Sequence, residues 1–115
     1  MPFTIDEGPG ARTAPVLRLS GELDSEQAPS FAAAVREQLA GSPASLVVDL
    51  THTTYLDSRG ARELAVTARL ATDAGTALQV VCPRENRRLW RVFDLLGLPA
   101  AVPITEVLRE PGGRP

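Results

Sequence analysis

The chain has 115 residues, enough for one domain with a real core and short for two. Hydrophobic residues at 43% and charged residues at 23% describe a globular protein in water, and a net charge of −2 excludes a general pull toward nucleic acid or anionic membrane. One cysteine excludes an internal disulfide framework, no apolar run approaches the roughly 20 residues that span a bilayer, and the opening MPFTIDEGPG lacks a basic or apolar signal segment, so a cytoplasmic protein is expected.

The first apolar segment is FTI, followed by the Gly/Pro-rich EGPGARTAP, which reads as a loop. VLRLSGELD then alternates, with Leu17 and Leu19 on one face and Val16, Arg18 and Ser20 on the other, predicting a half-buried strand that closes at Gly21. In APSFAAAVREQLAG, Phe31, Val35 and Leu39 recur at helical spacing, with Pro29 near the start and Gly41 just past the end. SLVVDL (45–50) is short and continuously apolar, as a buried strand is, and THTTYL bridges it to a second helical pattern.

That second helix is SRGARELAVTARLATDAG, with Ala61, Leu64, Ala65 and Ala68 as its inward stripe and Gly75 as its stop. ALQVVC is another buried strand, ended by Pro83. RENRRLWRVFDLLGL turns Leu89, Trp90, Phe93 and Leu96 inward and leaves Arg87, Arg88 and Arg91 to solvent. AAVPI predicts a last short strand, TEVLRE a final helical turn or two, and 109–115 a flexible tail. Strands and helices alternating at this spacing give an α/β fold, with the strands flanking the 58–74 helix parallel and each helix covering one side of the sheet.

Most catalytic constellations are missing. There is no Gly-rich phosphate loop, no metal-ligand spacing and no implied cofactor. His52 reads as a polar loop residue, and LDSRG lacks the alternating glycines of a nucleophile elbow, which sets a Ser58–His52 hydrolase aside. Cys82 closes a buried strand as a small inert hydrophobe. Ser58 differs in its place. It lies where the strand region hands over to a helix, among free backbone N–H groups at the positive end of the dipole. Asp57 and Ser58 both suit an N-cap, a role worth about 1 kcal/mol; the sharper reading is a hydroxyl presented for chemistry.

The ordered set LSGELD (19–24), the Phe31/Val35/Leu39 helix, LVVDL, YLDSRG, ALQVVCP and RRLWRVFDLLGL resembles the STAS family of sulphate transporters and anti-sigma factor antagonists. The likeness covers about residues 14–108, within one domain spanning 1–115. It implies a mixed sheet of about four to five strands with helices packed mainly on one face, and no enzymatic activity. It further implies a stand-alone antagonist in a partner-switching circuit. Unmodified, such a protein binds an anti-sigma factor that is a serine kinase of the GHKL type; phosphorylation releases it, and a serine phosphatase resets it. The acceptor corresponds to Ser58, with Asp24, Ser25, Asp57 and Gly60 beside it on the binding surface. Direct contact with nucleic acid or membrane is not implied. Arg59 departs from the commoner second serine at its position, which brings in the runner-up, a non-catalytic STAS subunit of a stressosome or lipid-transport complex.

Two arginine clusters complete the reading. Arg59, Arg62, Val66 and Arg69 follow at helical spacing, offset from the core stripe, and the apolar Val66 amid arginines suits the centre of a contact site. Arg84, Arg87, Arg88 and Arg91 form a basic run expected to be solvated or paired locally with Glu85 and Asp94.

Overall fold

Leu17 and Leu19 point to one side of a strand and Val16 to the other, as their alternation predicts, in a computed structural model that describes residues 4–9 and 15–107. The elements run β1 (Thr4–Pro9), β2 (Pro15–Leu23), α1 (Ala28–Ala40), β3 (Ser45–Leu56), α2 (Ser58–Ala74), β4 (Ala77–Val81), α3 (Arg87–Leu96), a 3-10 turn (Leu98–Ala100) and β5 (Ile104–Thr105). They build one five-stranded sheet in the order β1-β2-β3-β4-β5. β1 is antiparallel to β2, and every other neighbouring pair is parallel.

The expected α/β architecture with helices on one face is what forms. Phe31 and Val35 from α1, Ala61 and Leu64 from α2, and Leu89, Trp90 and Phe93 from α3 share one core with Leu17, Leu19, Leu46, Val48, Leu50 and Val80. On the opposite face Val16, Val47 and Val81 make a separate small cluster, beside the Arg18–Asp49 pair at 3.9 Å. Full burial of each large core side chain contributes roughly 1.5–3 kcal/mol, so the helix-covered face carries most of the stability.

Several boundaries differ from the sequence expectation. β1 runs through Glu7, Gly8 and Pro9, which were expected in a loop; an edge strand tolerates proline because one side of it has no ladder to complete. β2 continues past Gly21 to Leu23: Gly21, at φ 97°, takes up a register shift against β3 that would strain any other residue. THTTYL is not a bridge but the second half of β3, held by pairs such as Ser20 with His52 and Leu23 with Leu56. His52 accordingly sits exposed on a strand rather than in a loop.

Leu96 is half-exposed rather than inward, because the helix stops at Gly97 and Leu98, on the following 3-10 turn, fills the core instead. Thr105 belongs to β5, and Glu106 and Val107 form a bend where a helical turn was expected. The remainder of TEVLRE and the 109–115 tail lie outside the described residues.

Candidate functional site

The parallel strands β2, β3 and β4 end at one edge of the sheet, and the chain turns there into the next helix each time. Leu23 ends β2 and Leu56 ends β3, directly paired. After each comes an acidic residue that spends its carboxylate on backbone N–H groups. Asp24 Oδ1 accepts from the amides of Glu26 and Gln27, both at 3.1 Å, folding residues 24–27 into a turn that leads into α1. Asp57 takes an extended conformation as the N-cap of α2, with Oδ1 accepting from the Gly60 amide at 2.8 Å. Its other oxygen, Oδ2, accepts from the Ser25 amide at 3.2 Å and so ties the two turns together.

Gly60 explains how closely the turns meet. A Cβ built at this position would stand 2.2 Å from the Leu23 carbonyl oxygen and 2.9 Å from Leu56 Cδ1. The first turn of α2 lies directly on the end of β2, and only glycine leaves room. Asp24, Ser25, Asp57, Ser58 and Gly60 therefore form one junction.

Within it, capping and presentation fall to different residues. Asp57 does the capping, and Ser58, the first residue of α2, is exposed. Its hydroxyl has no hydrogen bond among the described residues, and none joins it to His52 or a carboxylate that could activate it as a nucleophile. The junction offers an unengaged hydroxyl in a fixed place, next to a carboxylate already committed to two amides.

One turn further on, Arg59 Nε lies 3.5 Å from Glu63 Oε2, an i,i+4 pair along α2. Arg59, Arg62 and Val66 line a shallow groove between α2 and α1, whose far wall is Pro29, Ala32 and Arg36. Arg69 is not part of it; it faces a separate depression with Thr72 and Pro103. The α1 contribution could not be read from the sequence, because the neighbourhood of α1 and α2 is a tertiary contact with no local signal.

Of the second arginine run, Arg87, Arg88 and Arg91 are solvated as expected, and Arg84 alone is paired. Arg84 pairs with Glu106 at 3.0 Å, not with Glu85, and its guanidinium carbon stands 3.9 Å from the centre of the Trp90 ring. Trp90 is core, donating from Nε1 to the Cys82 carbonyl at 3.0 Å and meeting Phe93 edge-on at 5.2 Å. Arg87, Arg88 and Arg91 are exposed and hold no ion pair with Glu85, Asp94 or any other described acid. Asn86, not singled out from the sequence, caps α3 through the Leu89 amide at 3.5 Å and donates to the Thr53 carbonyl at 2.8 Å. An Asn three residues before the first core leucine was the available signal.

Cys82 is fully buried, and burial, helped by the charge of Asp49, pushes its thiol up to about 12. A buried thiol held protonated in this way fits the small core hydrophobe expected at this position. Among the described residues no group of three His, Cys, Asp or Glu side chains is placed to hold a metal ion, and no helix is long and apolar enough to cross a membrane.

Comparison with known proteins places this geometry. The family model described as "Mlab, STAS domain" matches residues 9–106. An anti-sigma factor antagonist from Mycobacterium paratuberculosis has a similar structure, with a TM-score of 0.81 at 29% identity, over 93% of this chain and 88% of that one. The unphosphorylated anti-sigma factor antagonist SpoIIAA gives a TM-score of 0.71 at 17% identity, over 89% of this chain and 88% of its own. The Bacillus cell fate determinant SpoIIAA in its phosphorylated form gives 0.65 at 18%, over 89% and 91%. At these last two identities the likeness is one of fold. No curated protein sequence matches the chain.

Proposed function

The chain belongs to the STAS domain family, and from that membership we propose that it is an anti-sigma factor antagonist that works by partner switching. The mycobacterial antagonist, similar over nearly the full length of both chains, supports the antagonist role. The observation that carries the switch is the exposed Ser58 hydroxyl, without a hydrogen bond among the described residues, on a helix start capped by Asp57.

In this reading the unmodified protein binds an anti-sigma factor of the GHKL serine-kinase type and so frees a sigma factor for transcription. The kinase supplies ATP, metal and base, and the antagonist supplies only a positioned hydroxyl; it is a substrate and binding module, not an enzyme. Transfer of the γ-phosphoryl group forms the Ser58 Oγ–P bond, breaks the bond to ADP and sends the hydroxyl proton to the kinase base. The product adds a charge of about −1.5 to −2 beside Asp57. Within the chain the α2 dipole tolerates that charge. Across a desolvated contact it repels, and ~3 kcal/mol of repulsion weakens a complex by more than a hundredfold. A serine phosphatase restores the binding form.

The contact surface in this proposal comprises Asp24, Ser25, Asp57, Ser58 and Gly60 at the junction and Arg59, Arg62 and Val66 along the groove. Arg59, held by Glu63, serves here as a groove wall. The circuit is cytoplasmic and uses no cofactor or metal in the antagonist itself.

The test is incubation with the cognate anti-sigma kinase and ATP. Wild type should gain one phosphate, by intact mass, and lose affinity about a hundredfold; Ser58→Ala should stay unmodified and bound. Modification elsewhere, or release without modification, overturns the switch. Two observations favour a second reading: the matching family model carries the name Mlab, and Arg59 stands where the family resemblance leads one to expect a second serine. A STAS subunit of a stressosome or lipid-transport complex would bind its partner with Ser58 unmodified throughout.

A further inference from the structure

β3 outruns its neighbour. β4 ends at Val81, opposite Asp49, while β3 continues to Leu56, and on that side no described strand pairs with it beyond Asp49. The start of α3 stands beside the overhang, touching it through the Asn86 donation to the Thr53 carbonyl. Between the two lies an open cleft of about 1290 Å³, with Thr51, His52 and Thr54 along one wall and Arg87, Arg88 and Arg91 along the other.

The three arginines stand together on one wall of this cleft. Arg18, Arg59 and Arg84 pair with carboxylates, whereas these three, like Arg36, Arg62 and Arg69, have none among the described residues; what sets them apart is that they share one cleft wall, with Glu85 the one acid on the lining. Arg87 and Arg88 also occupy the first turn of α3, where no acidic residue is present and the helix dipole disfavours positive charge. Three like charges on one and a half turns, against the dipole, work against the stability of this helix. A local rule broken with no internal compensation marks a surface kept for something else.

From this arrangement we propose that the cleft between the β3 overhang and α3 is a second docking surface, which takes an acidic segment of a partner protein. The chemistry is carboxylate recognition: planar guanidiniums pair with carboxylates in two-pronged fashion, and the threonine hydroxyls opposite can meet the segment's main chain. A segment fits better than a small anion, because the cleft is open, about 1290 Å³ in volume, and spreads its three guanidiniums along a helix face. Leu95, 77% exposed, follows Arg87 and Arg91 at i+8 and i+4 and supplies an apolar contact at the end of the same face. The preferred segment is therefore acidic with an interspersed apolar side chain. The site does not involve Ser58, so it stands or falls separately from the phosphorylation switch.

The experiment is an NMR titration of the full ¹⁵N-labelled chain with a synthetic peptide of three Glu-Glu-Leu-Glu repeats. Saturable shifts should centre on the amides of 51–54 and 87–95 and weaken as salt is raised. The triple variant Arg87→Glu, Arg88→Glu, Arg91→Glu should lose at least tenfold in affinity, while Ser58→Ala and the groove variant Arg36→Glu, Arg62→Glu should bind as wild type. The triple glutamine variant, which removes charge without reversing it, should show the same loss with its amide dispersion intact. Shifts centred on the α1–α2 groove, equal losses in the two arginine variants, or no saturation would each overturn the proposal. So would binding of phosphatidylglycerol vesicles that depends on the three arginines when the peptide shifts nothing.

Discussion

Two helices begin at the same edge of the sheet and solve the same problem in opposite ways. Both α2 and α3 follow parallel strands and both start with an Asx cap, Asp57 to Gly60 at 2.8 Å and Asn86 to Leu89 at 3.5 Å. The α2 cap is charged, engaged on both oxygens, and followed by a neutral serine and by Arg59, which is paired with Glu63. The α3 cap is neutral and followed by two arginines. The first turn of α2 is pressed onto the end of β2 at Gly60, whereas the start of α3 is tied to the β3 overhang by the Asn86 side chain. The start of α2 is thus rigid and electrostatically at ease, a place where one added charge changes the local character. The start of α3 carries its charge permanently.

The contrast is tested most severely at Gly60. Gly60→Ala forces a methyl against the Leu23 carbonyl, a backbone atom that cannot step aside. Overpacking of this kind costs about 3 kcal/mol, so thermal unfolding followed by circular dichroism should drop by roughly 10 °C. A loss under 1 kcal/mol would mean that α2 lifts off β2 easily and that the junction is not rigid.

The caps come next. Asp57→Ala removes the acceptor for two amides, a charge-assisted cap and the tie to Ser25, and should cost about 2 kcal/mol. Asn86→Ala removes a longer cap and the bond to Thr53, and about 1 kcal/mol is expected. Urea midpoints of the two variants in one buffer decide the order. Equal losses would erase the difference between the two helix starts.

What could be read from the sequence follows the same division. The α2 start was legible because its signals are local: Asp and Ser stand where an apolar run gives way to helical spacing, and DSRG places glycine at the third helical position. What was hidden was which residue caps, since both types suit the role; the structure gives the task to Asp57 because its carboxylate also reaches Ser25, 32 residues away. The second half of β3 was hidden for another reason. THTTYL is mostly polar, and it is a strand because it pairs with β2 on one edge, with Thr53 buried and bonded to the Leu19 carbonyl. β1 likewise exists through its partner strand and not through its own Gly/Pro-rich composition. Arg87, Arg88 and Arg91 were visible as residues but not as a cleft wall, because the overhang of β3 past the end of β4 is a property of the sheet.

Ser58→Glu should separate folding from function at the α2 start. An acid at the first helical position gains from the dipole and loses to Asp57, two terms of similar size, so the unfolding free energy should stay within about 0.5 kcal/mol of wild type. Binding to the anti-sigma partner should nevertheless fall about a hundredfold in isothermal titration. A destabilisation of 2 kcal/mol would instead make Ser58 a structural residue.

The smallest effect is the most specific to the comparison. Arg88→Glu replaces a charge that opposes the α3 dipole with one that favours it and relieves repulsion from Arg87 and Arg91. The variant should therefore be more stable than wild type, by about 0.5–1 kcal/mol at low ionic strength. At 1 M salt, where the screening length is about 3 Å, most of the gain should vanish. The counterpart Arg62→Glu on α2 lies past the first turn and should leave the unfolding temperature unchanged. Paired melts at low and high salt measure this directly. A stability gain at position 88 together with weaker binding of the acidic peptide means that the arginine is kept at the expense of the helix it starts. Without the gain, the charge at the start of α3 is neutral to the fold, and the asymmetry between the two helix starts reduces to their packing.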